Sequence, residues 1–325
     1  MKHIVLFGAT GNVGRYLTDH LVKSFPEMQV VAVGRHEPDW MKNTGASFVK
    51  ADVTQPESFA ALPQQDVFAV LNFAGVLPAY LSGSDMSVYI RVNTEGALHV
   101  LEYARKTGAE RVVYSQSVSR YHGYLADDIR VFKPDMPAKF NYTNDHAVYI
   151  IAKTAAVELM EHYHQTYGIR TFEIVLPNIY LYDPAEYYYV DGVARPIAYR
   201  YMIRRAMAGE PLELWGDPNK GIDLVYVKDL CRLVECTLRC DKQSGRYNAG
   251  SGKLTTMEEY LRGIIRVFSP ADKPSELVYR PEKPDCANFM MDITNCREDL
   301  GYEPQYDCIA FLEDYKREME KDQKK

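Results

Sequence analysis

"IVLFGATGNVGRYLTDHL", residues 4–21, is the stretch that decides the fold. A strand-like apolar run ends at its first glycine, and an amphipathic helix follows. Because glycine has no Cβ, Gly8 can make a tight turn, Gly11 lets the backbone approach a pyrophosphate, and Gly14 lets the helix pack close to the sheet. The first N–H groups of that helix then point at the phosphates. The predicted dinucleotide contacts of this turn are Gly8, Thr10, Gly11, Asn12, Val13 and Gly14.

The first 180 residues alternate between strand-length apolar runs and helix-length amphipathic segments. This alternation is typical of a parallel sheet with helices on both faces. Predicted strands cover residues 3–8, 29–34, 47–52, 67–74, 111–117 and 170–177, and predicted helices cover 12–24, 86–106 and 145–167. Since crossovers between parallel strands are right-handed, the predicted fold class is α/β, a Rossmann-like doubly wound sheet.

The composition changes after Pro177, where Tyr, Pro and Gly become frequent and a helix is predicted near 196–208. We expect a smaller C-terminal α/β lobe that binds the substrate. The stretch "IDLVYVKDLCRLVECTL" predicts a return to the first domain as another strand and helix. The predicted domains are residues 1–177 with 221–236 for the dinucleotide, and residues 178–220 with 237–325 for the substrate.

Composition and charge bear on the class of partner. Charged residues make up 25% of the 325-residue chain, its formal net charge is -6, and it has no long run of Lys or Arg. This balance disfavours a nucleic-acid or anionic-membrane partner. The chain contains no apolar stretch of about 18 residues, and "MKHIVLFGATG" passes from Met directly into a strand pattern. We therefore expect a cytoplasmic protein without a signal peptide or a membrane span.

The cysteines and histidines do not predict a metal site. All six cysteines lie in the last third of the chain without a CxxC pair, and all eight histidines lie at or before His164. Cys236 and Cys240 are one helical turn apart, which leaves a metal pair as an alternative to buried free thiols.

The end of the second predicted strand bears on the choice of dinucleotide. An acidic side chain there would bond the ribose 2′-OH of NAD, but the strand ends in Gly34 followed by Arg35. A guanidinium can clamp a 2′-phosphate, so NADP is the predicted cofactor and NAD the alternative. Asp52, at the end of the next strand, is expected either to bond the adenine amino group or to form a turn.

Tyr149 and Lys153 predict a catalytic pair. A free tyrosine has a pKa near 10 and is a poor base until a nearby cation stabilises the phenolate. Residues four apart on a helix share a face, so the Lys153 ammonium can stabilise the phenolate of Tyr149. Ser117, at the end of an adjacent strand, can hold the substrate oxygen.

Seven motifs follow one another in the order of a known family. They are GATGNVG at 8–14, ADV at 51–53, NFAG at 72–75, YSQS at 114–117, YxxxK at 149–153, PNIY at 177–180 and YNAGSG at 247–252. With them the chain resembles the extended short-chain dehydrogenase/reductases, and within these the NAD(P)-dependent epimerase/dehydratase family acting on nucleotide sugars. The resemblance covers nearly the whole chain.

The resemblance implies a role for each matching position. Tyr149 is the implied general acid/base, Lys153 binds the nicotinamide ribose and lowers the pKa of Tyr149, and Ser117 bonds the reacting oxygen of the substrate. Asn93 is implied to support this site. Further implied cofactor contacts are Asp52, Val53, Asn72, Phe73, Ala74, Gly75, Pro177 and Asn178, and Asn178 also lies near the substrate.

The sequence also departs from the family pattern. Val118 and Ser119 follow Ser117 where sugar dehydratases carry an Asp-Glu pair, so a 4,6-dehydratase is disfavoured. Val175 and Ile222 stand where the family often has arginines that neutralise a nucleotide diphosphate. Arg280 is then a candidate for supplying one such charge, with a solvated loop position as the alternative. Tyr187, Tyr188 and Tyr189 are candidates for stacking on a base or sugar, or for packing.

The leading functional hypothesis is an NAD(P)-dependent sugar-nucleotide epimerase, which removes a hydride and returns it through a keto intermediate. The alternative is a reductase or dehydrogenase that uses NADPH on a ketone, aldehyde or sugar, and a second alternative is a non-catalytic dinucleotide sensor. The sugar, the nucleotide and the oxidised carbon stay open. The resemblance further implies a homodimer through the segments 88–104 and 149–163, whose apolar residues exceed what one buried face requires.

Overall fold

A computed structural model describes residues 1–78, 85–143, 146–185, 187–190 and 193–323 of this chain. Its strands are β1 (His3–Phe7), β2 (Gln29–Gly34), β3 (Ser47–Lys50), β4 (Val67–Asn72), β5 (Arg111–Ser117), β6 (Val131–Phe132), β7 (Arg170–Leu176), β8 (Ile179–Tyr180), β9 (Tyr187–Val190), β10 (Val193–Pro196), β11 (Leu212–Trp215), β12 (Gly221–Asp223), β13 (Val225–Tyr226), β14 (Ser244–Asn248), β15 (Leu254–Thr256), β16 (Leu277–Arg280) and β17 (Met290–Met291).

The α-helices are α1 (Asn12–Ser24), α2 (Ser87–Tyr89), α3 (Gly96–Thr107), α4 (Ala147–Tyr167), α5 (Ala198–Met207), α6 (Val227–Arg239), α7 (Met257–Phe268), α8 (Thr294–Leu300) and α9 (Cys308–Asp322). 3-10 segments cover Asp39–Asn43, Pro56–Ala61 and Val118–Asp127, and a π-helical segment covers Ile90–Glu95. Within the described ranges, no helix combines the length and the apolar character that crossing a membrane requires.

A seven-stranded parallel sheet is the centre of the described structure. Its strand order is β14-β7-β5-β4-β1-β2-β3, and every neighbouring pair is parallel. The chain therefore runs outward from β1 to β3 and then crosses back to β4 beside β1. Ligands of such sheets bind where the strand order reverses, outside the carboxyl ends of the strands. The predicted doubly wound α/β fold is confirmed, and all six predicted strands are present.

Both faces of this sheet are buried. Ile4 and Leu6 of β1 belong to the apolar cluster that contains Leu17 of α1. Val5 and Phe7 of the same strand belong to the cluster that contains α3 and part of α4. Successive strand residues point to opposite faces, so a strand covered on both sides reads as an unbroken apolar run. This is why the sequence pattern locates these strands well.

The outer strand β14 comes from a segment that the sequence assigned to the smaller lobe. β14 pairs with β7, with Gly245 opposite Phe172 and Tyr247 opposite Ile174. By contrast, the expected returning strand within 221–236 is divided between two short pairs outside the large sheet, β12–β15 and β13–β8. The expected boundary at residue 237 is therefore displaced. The segment "SGRYN" is polar, so its apolar content does not mark it as a sheet strand.

The smaller lobe shares its core with one face of the sheet. The cluster that contains Leu17 also contains Tyr180, Tyr260 and Phe311. The ring of Tyr180 lies 5.9 Å from that of Tyr260 and 5.5 Å from that of Phe311. The helix predicted near 196–208 is present as α5.

The glycine-rich turn allows a very close approach of α1 to β1. A Cβ on Gly14 would lie 2.0 Å from the carbonyl oxygen of Gly8 and 2.7 Å from the Cα of Ala9. A Cβ on Gly11 would lie 3.4 Å from the same Gly8 oxygen, which is an ordinary contact. The packing of α1 against the sheet thus requires glycine at position 14 but not at position 11.

We expect Gly14→Ala to lower the free energy of unfolding by about 1 to 3 kcal/mol, because the added methyl group overlaps backbone atoms. The matched variant Gly11→Ala should change it by less than about 0.5 kcal/mol. Urea unfolding followed by circular dichroism, without added dinucleotide, measures both. Equal losses in the two variants would contradict the packing described here.

Candidate active site

The glycine-rich turn lies against the loop that follows β4. Gly8 has a φ of 82°, and a Cβ there would lie 2.6 Å from the backbone of Phe73 and Ala74. Asn72 holds this loop, since its Oδ1 accepts a hydrogen bond from the Ala74 N–H at 3.2 Å. Gly11 is the N-cap of α1, and neither a side-chain cap nor an acidic residue competes for the first N–H groups of the helix. This geometry fits a pyrophosphate.

The end of β2 lies beside Thr10 and has no room for a side chain at position 34. A Cβ on Gly34 would lie 2.5 Å from the Cγ2 of Thr10. An acidic side chain that bonds a ribose 2′-OH therefore cannot occupy this position without displacing Thr10. Arg35 is the next residue and is exposed. Its predicted contact with a 2′-phosphate stays a prediction.

Asp52 forms a turn at the end of β3. Its Oδ1 accepts hydrogen bonds from the backbone N–H and the hydroxyl of Thr54, at 2.9 and 2.8 Å. Val53 follows and packs on α3, where His99 Nδ1 lies 2.7 Å from the Val53 carbonyl oxygen. The structure thus shows the turn-forming alternative for one carboxylate oxygen of Asp52. Adenine contacts of Asp52 and Val53 stay predictions.

Asn93 is buried and fixes the backbone of the loop after β4. Its Oδ1 accepts from the Val76 N–H at 2.9 Å, and its Nδ2 donates to the Val76 carbonyl at 3.1 Å. It lies in the π-helical segment, which interrupts the single helix predicted for 86–106. A Cβ on Gly75 of the same loop would lie 3.1 Å from Asn93 Oδ1 and 3.9 Å from Lys153 Nζ. Asn93 therefore fixes the position of the loop that follows β4.

Tyr149 and Ser117 are brought together by α4 and the end of β5. The Tyr149 ring is buried, its hydroxyl is hydrogen-bonded to the Ser117 side chain, and Tyr89 packs edge-on at 5.9 Å. Ser117 also accepts the N–H of Ser119 at 3.2 Å, as the N-cap of a 3-10 segment. Burial raises the pKa of Tyr149 to about 12, and the bond to Ser117 works in the opposite direction.

Lys153 lies one turn further along α4 and is fully enclosed. Its Nζ lies 3.4 Å from the Ser115 hydroxyl and 4.2 Å from the centre of the Tyr114 ring. Burial lowers the pKa of Lys153 to about 7, and the negative charge of Glu173 partly opposes this. The lowering of the Tyr149 pKa by Lys153 stays a prediction, since burial is the largest influence on the pKa values of both side chains here.

The buried ammonium, the open α1 N-terminus and the glycines that approach other backbone atoms together fit a dinucleotide. A ribose hydroxyl is a natural acceptor for an ammonium that has no carboxylate bonded to it among the described residues. Within the same residues, no group of three or more His, Cys, Asp or Glu side chains is arranged to hold a metal ion.

The predicted substrate contacts lie in different surroundings. Pro177 is buried and Asn178 is exposed between β7 and β8, at the carboxyl end of the sheet. Arg280 ends β16, where its Nε lies 3.1 Å from a carboxylate oxygen of Glu213. Arg280 is thus an exposed, paired residue. No contact in the described part of the chain joins it to Ser117 or to the other site residues.

The two positions where the resemblance implies arginines are filled by apolar packing. Val175 is buried in a cluster with Phe132 and Phe289, and Ile222 packs against the same cluster. The Phe132 and Phe289 rings stack with centres 5.1 Å apart. These two positions provide no cation for a diphosphate.

The tyrosines at 187–189 belong to β9, which pairs antiparallel with β10. Tyr187 is exposed and Tyr188 is partly buried, while the side chain of Tyr189 lies outside the described residues. Their contact with a substrate stays a prediction.

Sequence reasoning missed a buried ion-pair group next to this site. Glu173 of β7 binds Arg120 at 2.6 Å and also binds Arg246 of β14. One signal was present, since Glu173 interrupts the apolar run "TFEIVLP". A charged residue in a strand buried on both faces requires a buried partner.

Comparisons with known proteins agree with this geometry. The model of the NAD dependent epimerase/dehydratase family matches residues 4–250. The UDP-glucose 4-epimerase of Mycolicibacterium smegmatis is 25% identical over 308 residues, which is 92% of each chain. The dTDP-glucose 4,6-dehydratase of Xanthomonas campestris is 25% identical over 276 residues, covering 81% of this chain and 76% of that protein.

Solved structures show the same fold. The crystal structure of the Thermotoga maritima UDP-glucose 4-epimerase with UDP-glucose has a TM-score of 0.75 and 22% identity, covering 98% of this chain and 99% of that one. The Bacillus cereus UDP-glucuronic acid 4-epimerase in complex with NAD has a TM-score of 0.73 and 18% identity, covering 99% and 98%.

We expect Lys153→Met to stabilise the protein by about 1 to 3 kcal/mol, because it removes a buried charge. Since the pKa of Lys153 falls to about 7 on folding, its cost is full below that pH. The cost then declines as the pH rises toward the value of an unfolded lysine. The gain in Tm, measured by calorimetry without added dinucleotide, should therefore be larger at pH 6 than at pH 9.5. An equal gain at both values would show that Lys153 does not titrate between them.

Proposed function

The chain belongs to the NAD-dependent epimerase/dehydratase family, and we propose that it is a sugar-nucleotide epimerase. The observation that carries the proposal is the hydrogen bond between the buried Tyr149 hydroxyl and the half-buried Ser117 side chain, with Lys153 one helical turn away. These groups lie at the carboxyl ends of β4 and β5, next to the reversal of strand order. Similarity to UDP-glucose 4-epimerases supports a nucleotide sugar as the substrate.

In the proposed reaction, Tyr149 accepts the proton of a sugar hydroxyl and later returns it. Ser117 donates a hydrogen bond to the same oxygen, and Lys153 donates to the ribose of the cofactor. A bound nicotinamide supplies the hydride acceptor and donor, so the cycle consumes no net reductant. Because burial raises the pKa of Tyr149 to about 12, this step depends on positive charge near the phenol.

Dehydration is not part of the proposal. Elimination of water requires a second acid/base pair beside the reacting carbon. Here Ser117 is followed by Val118, which is buried, and by Ser119, whose N–H bonds Ser117. Neither side chain is an acid or base near neutral pH.

The second candidate is an NADPH-dependent reductase of a ketone, aldehyde or sugar. The apolar cluster at Val175 and Ile222 favours it, as does the pairing of Arg280 with Glu213, because these features reduce the cations open to a diphosphate. Loss of one NADPH per product formed would identify a reductase. An epimerase interconverts its sugars with no such loss.

We propose NADP as the cofactor and NAD as the alternative. Thr10 lies where a side chain at position 34 would begin, so no acidic group is present there to repel a 2′-phosphate. This close contact and the exposed Arg35 support NADP. The Bacillus cereus relative in complex with NAD supports the alternative.

A homodimer is part of the proposal. Met86, Ile90 and Ile151 are exposed apolar side chains at the N-cap of α2, on the π-helical segment and on α4. These elements pack together on one side of the molecule. Covering such side chains with a second copy removes apolar surface from water. The six cysteines are unpaired, which suits the proposed cytoplasmic location.

We expect Tyr149→Phe to lower turnover by about 100- to 10,000-fold, because it removes the proton carrier and leaves the ring in place. The affinity for the dinucleotide should stay within about threefold of the original. Interconversion of UDP- and dTDP-sugars followed by NMR, and calorimetric titration with NADP and NAD, measure the two effects. Tyr167→Phe, an exposed tyrosine of the same helix, is the matched control. Unchanged turnover in Tyr149→Phe would refute the mechanism.

Arg35→Ala should weaken NADP binding by about 10- to 100-fold, because a charged hydrogen bond to the 2′-phosphate is lost. NAD binding should change by less than about twofold. Arg262→Ala, which removes an equal charge from α7, controls for net charge. Equal weakening of both dinucleotides would assign Arg35 to a shared part of the cofactor.

A further inference from the structure

A row of polar side chains crosses the sheet beneath α4. Glu173 of β7 lies opposite Tyr114 of β5 and opposite Arg246 of β14. Its neighbours Phe172 and Ile174 point to the other face, into the cluster that contains α1 and α6. Glu173 therefore points to the face covered by α4, and it is buried there.

The carboxylate of Glu173 is held at both oxygens. Arg120 Nη1 donates to Oε1 at 2.6 Å, and Arg246 Nε donates to Oε2. Arg246 also donates to the carbonyl of Pro134 at 3.3 Å. Two guanidinium groups and one carboxylate leave this group with a net charge of about +1. Arg120 and Glu173 are buried, and the Arg246 side chain is 29% exposed.

Lys153 contacts the same row from α4, the helix that covers this face of the sheet. Its Nζ lies over the ring of Tyr114, 4.2 Å from the ring centre, and Tyr114 is the cross-strand neighbour of Glu173. No carboxylate in the described residues forms an ion pair with Lys153. Glu173 is the acidic group whose charge acts on it and favours its charged form. Lys153, Tyr114 and Glu173 are all buried, so little water screens the two charges from each other.

We propose that Glu173 is a positioning residue for the proposed reaction, which keeps the ammonium of Lys153 charged inside the site. Arg120 and Arg246 hold the carboxylate in place and limit the strength of its effect. The inference rests on the proposed role of Lys153 in binding the cofactor ribose.

Lys153 contacts Tyr114 of β5, shares α4 with Tyr149, and is acted on by the charge of Glu173 of β7. Arg120 of the 3-10 segment and Arg246 of β14 bind the Glu173 carboxylate rather than Lys153. The two tyrosines are buried with raised pKa values, so they are neutral near pH 7 without a bound cofactor. The ionic group that acts on Lys153 is therefore the Glu173 carboxylate, whose field the two bound guanidinium groups oppose.

This balance predicts shifts of opposite direction. Glu173→Gln removes the attraction and leaves two cations, so the midpoint of Lys153 should fall by about one pH unit. Arg246→Met removes a repulsion and should raise the midpoint by about half a unit to one unit. Glu235→Gln is the control, because Glu235 lies between α1 and α6 on the opposite face, paired with His20 and Arg239.

The experiment is a pH titration of the full-length protein labelled with 13C at the lysine side chains, followed by NMR without added cofactor or substrate. Lys153→Met identifies the signal of Lys153 by its loss. The proposal is supported by a midpoint near 7 that falls in Glu173→Gln, rises in Arg246→Met and stays constant in Glu235→Gln. A general loss of packing would not move the two midpoints in opposite directions.

Shifts in the same direction, or no shift in either variant, would overturn the proposal. If Glu173→Gln fails to fold, Arg246→Met decides alone: a rise supports the proposal, and a fall or no change overturns it. The titration does not depend on turnover. A failure of the epimerase proposal, seen as activity in Tyr149→Phe, is therefore distinguishable from a failure of this one.

Discussion

The burial of a lysine ammonium is the constraint on which the site depends. Lys153 contacts a hydroxyl and an aromatic ring, and no described carboxylate is bonded to it. In such surroundings a charge is poorly solvated, and every dipole or ion nearby has a large effect on it. An ammonium held in this way retains N–H groups that can donate hydrogen bonds to an oxygen atom of a ligand. With this charge buried, the folded protein is less stable than it would be with an apolar residue at position 153, which fits the proposed role of Lys153 in binding a cofactor.

The fold brings the groups of the proposed reaction together from distant parts of the chain. The glycine-rich turn comes from β1, Ser117 comes from β5, and the Tyr–Lys pair comes from α4. Because the strands are parallel, their carboxyl ends lie along one edge of the sheet. Asn93 joins the loop after β4 to the π-helical segment by two hydrogen bonds, so the loop cannot move independently of that segment.

The sequence predicted the parts of this arrangement that depend on local patterns. The turn at Gly8, the strands buried on both faces and the spacing of Tyr149 and Lys153 are all short-range features. β14 was assigned to the wrong lobe because its sheet pairing relies on Glu173, about 70 residues earlier, which gives Arg246 a partner. The raised pKa of Tyr149 could not be predicted from the sequence, because burial is a property of the folded chain. The ion pair between Arg280 and Glu213 also could not be predicted, because the two residues are far apart in the sequence.

The position of β14 affects how the chain folds during synthesis. β7 ends at Leu176, but its outer neighbour begins at Ser244, after much of the smaller lobe has been made. Until then the growing chain exposes the unpaired backbone groups of β7 as an open sheet edge. Glu173 would meanwhile lack one of its two arginines. The central sheet is therefore incomplete until β14 has been made, and a fragment that ends between the two strands would present this open edge to other chains.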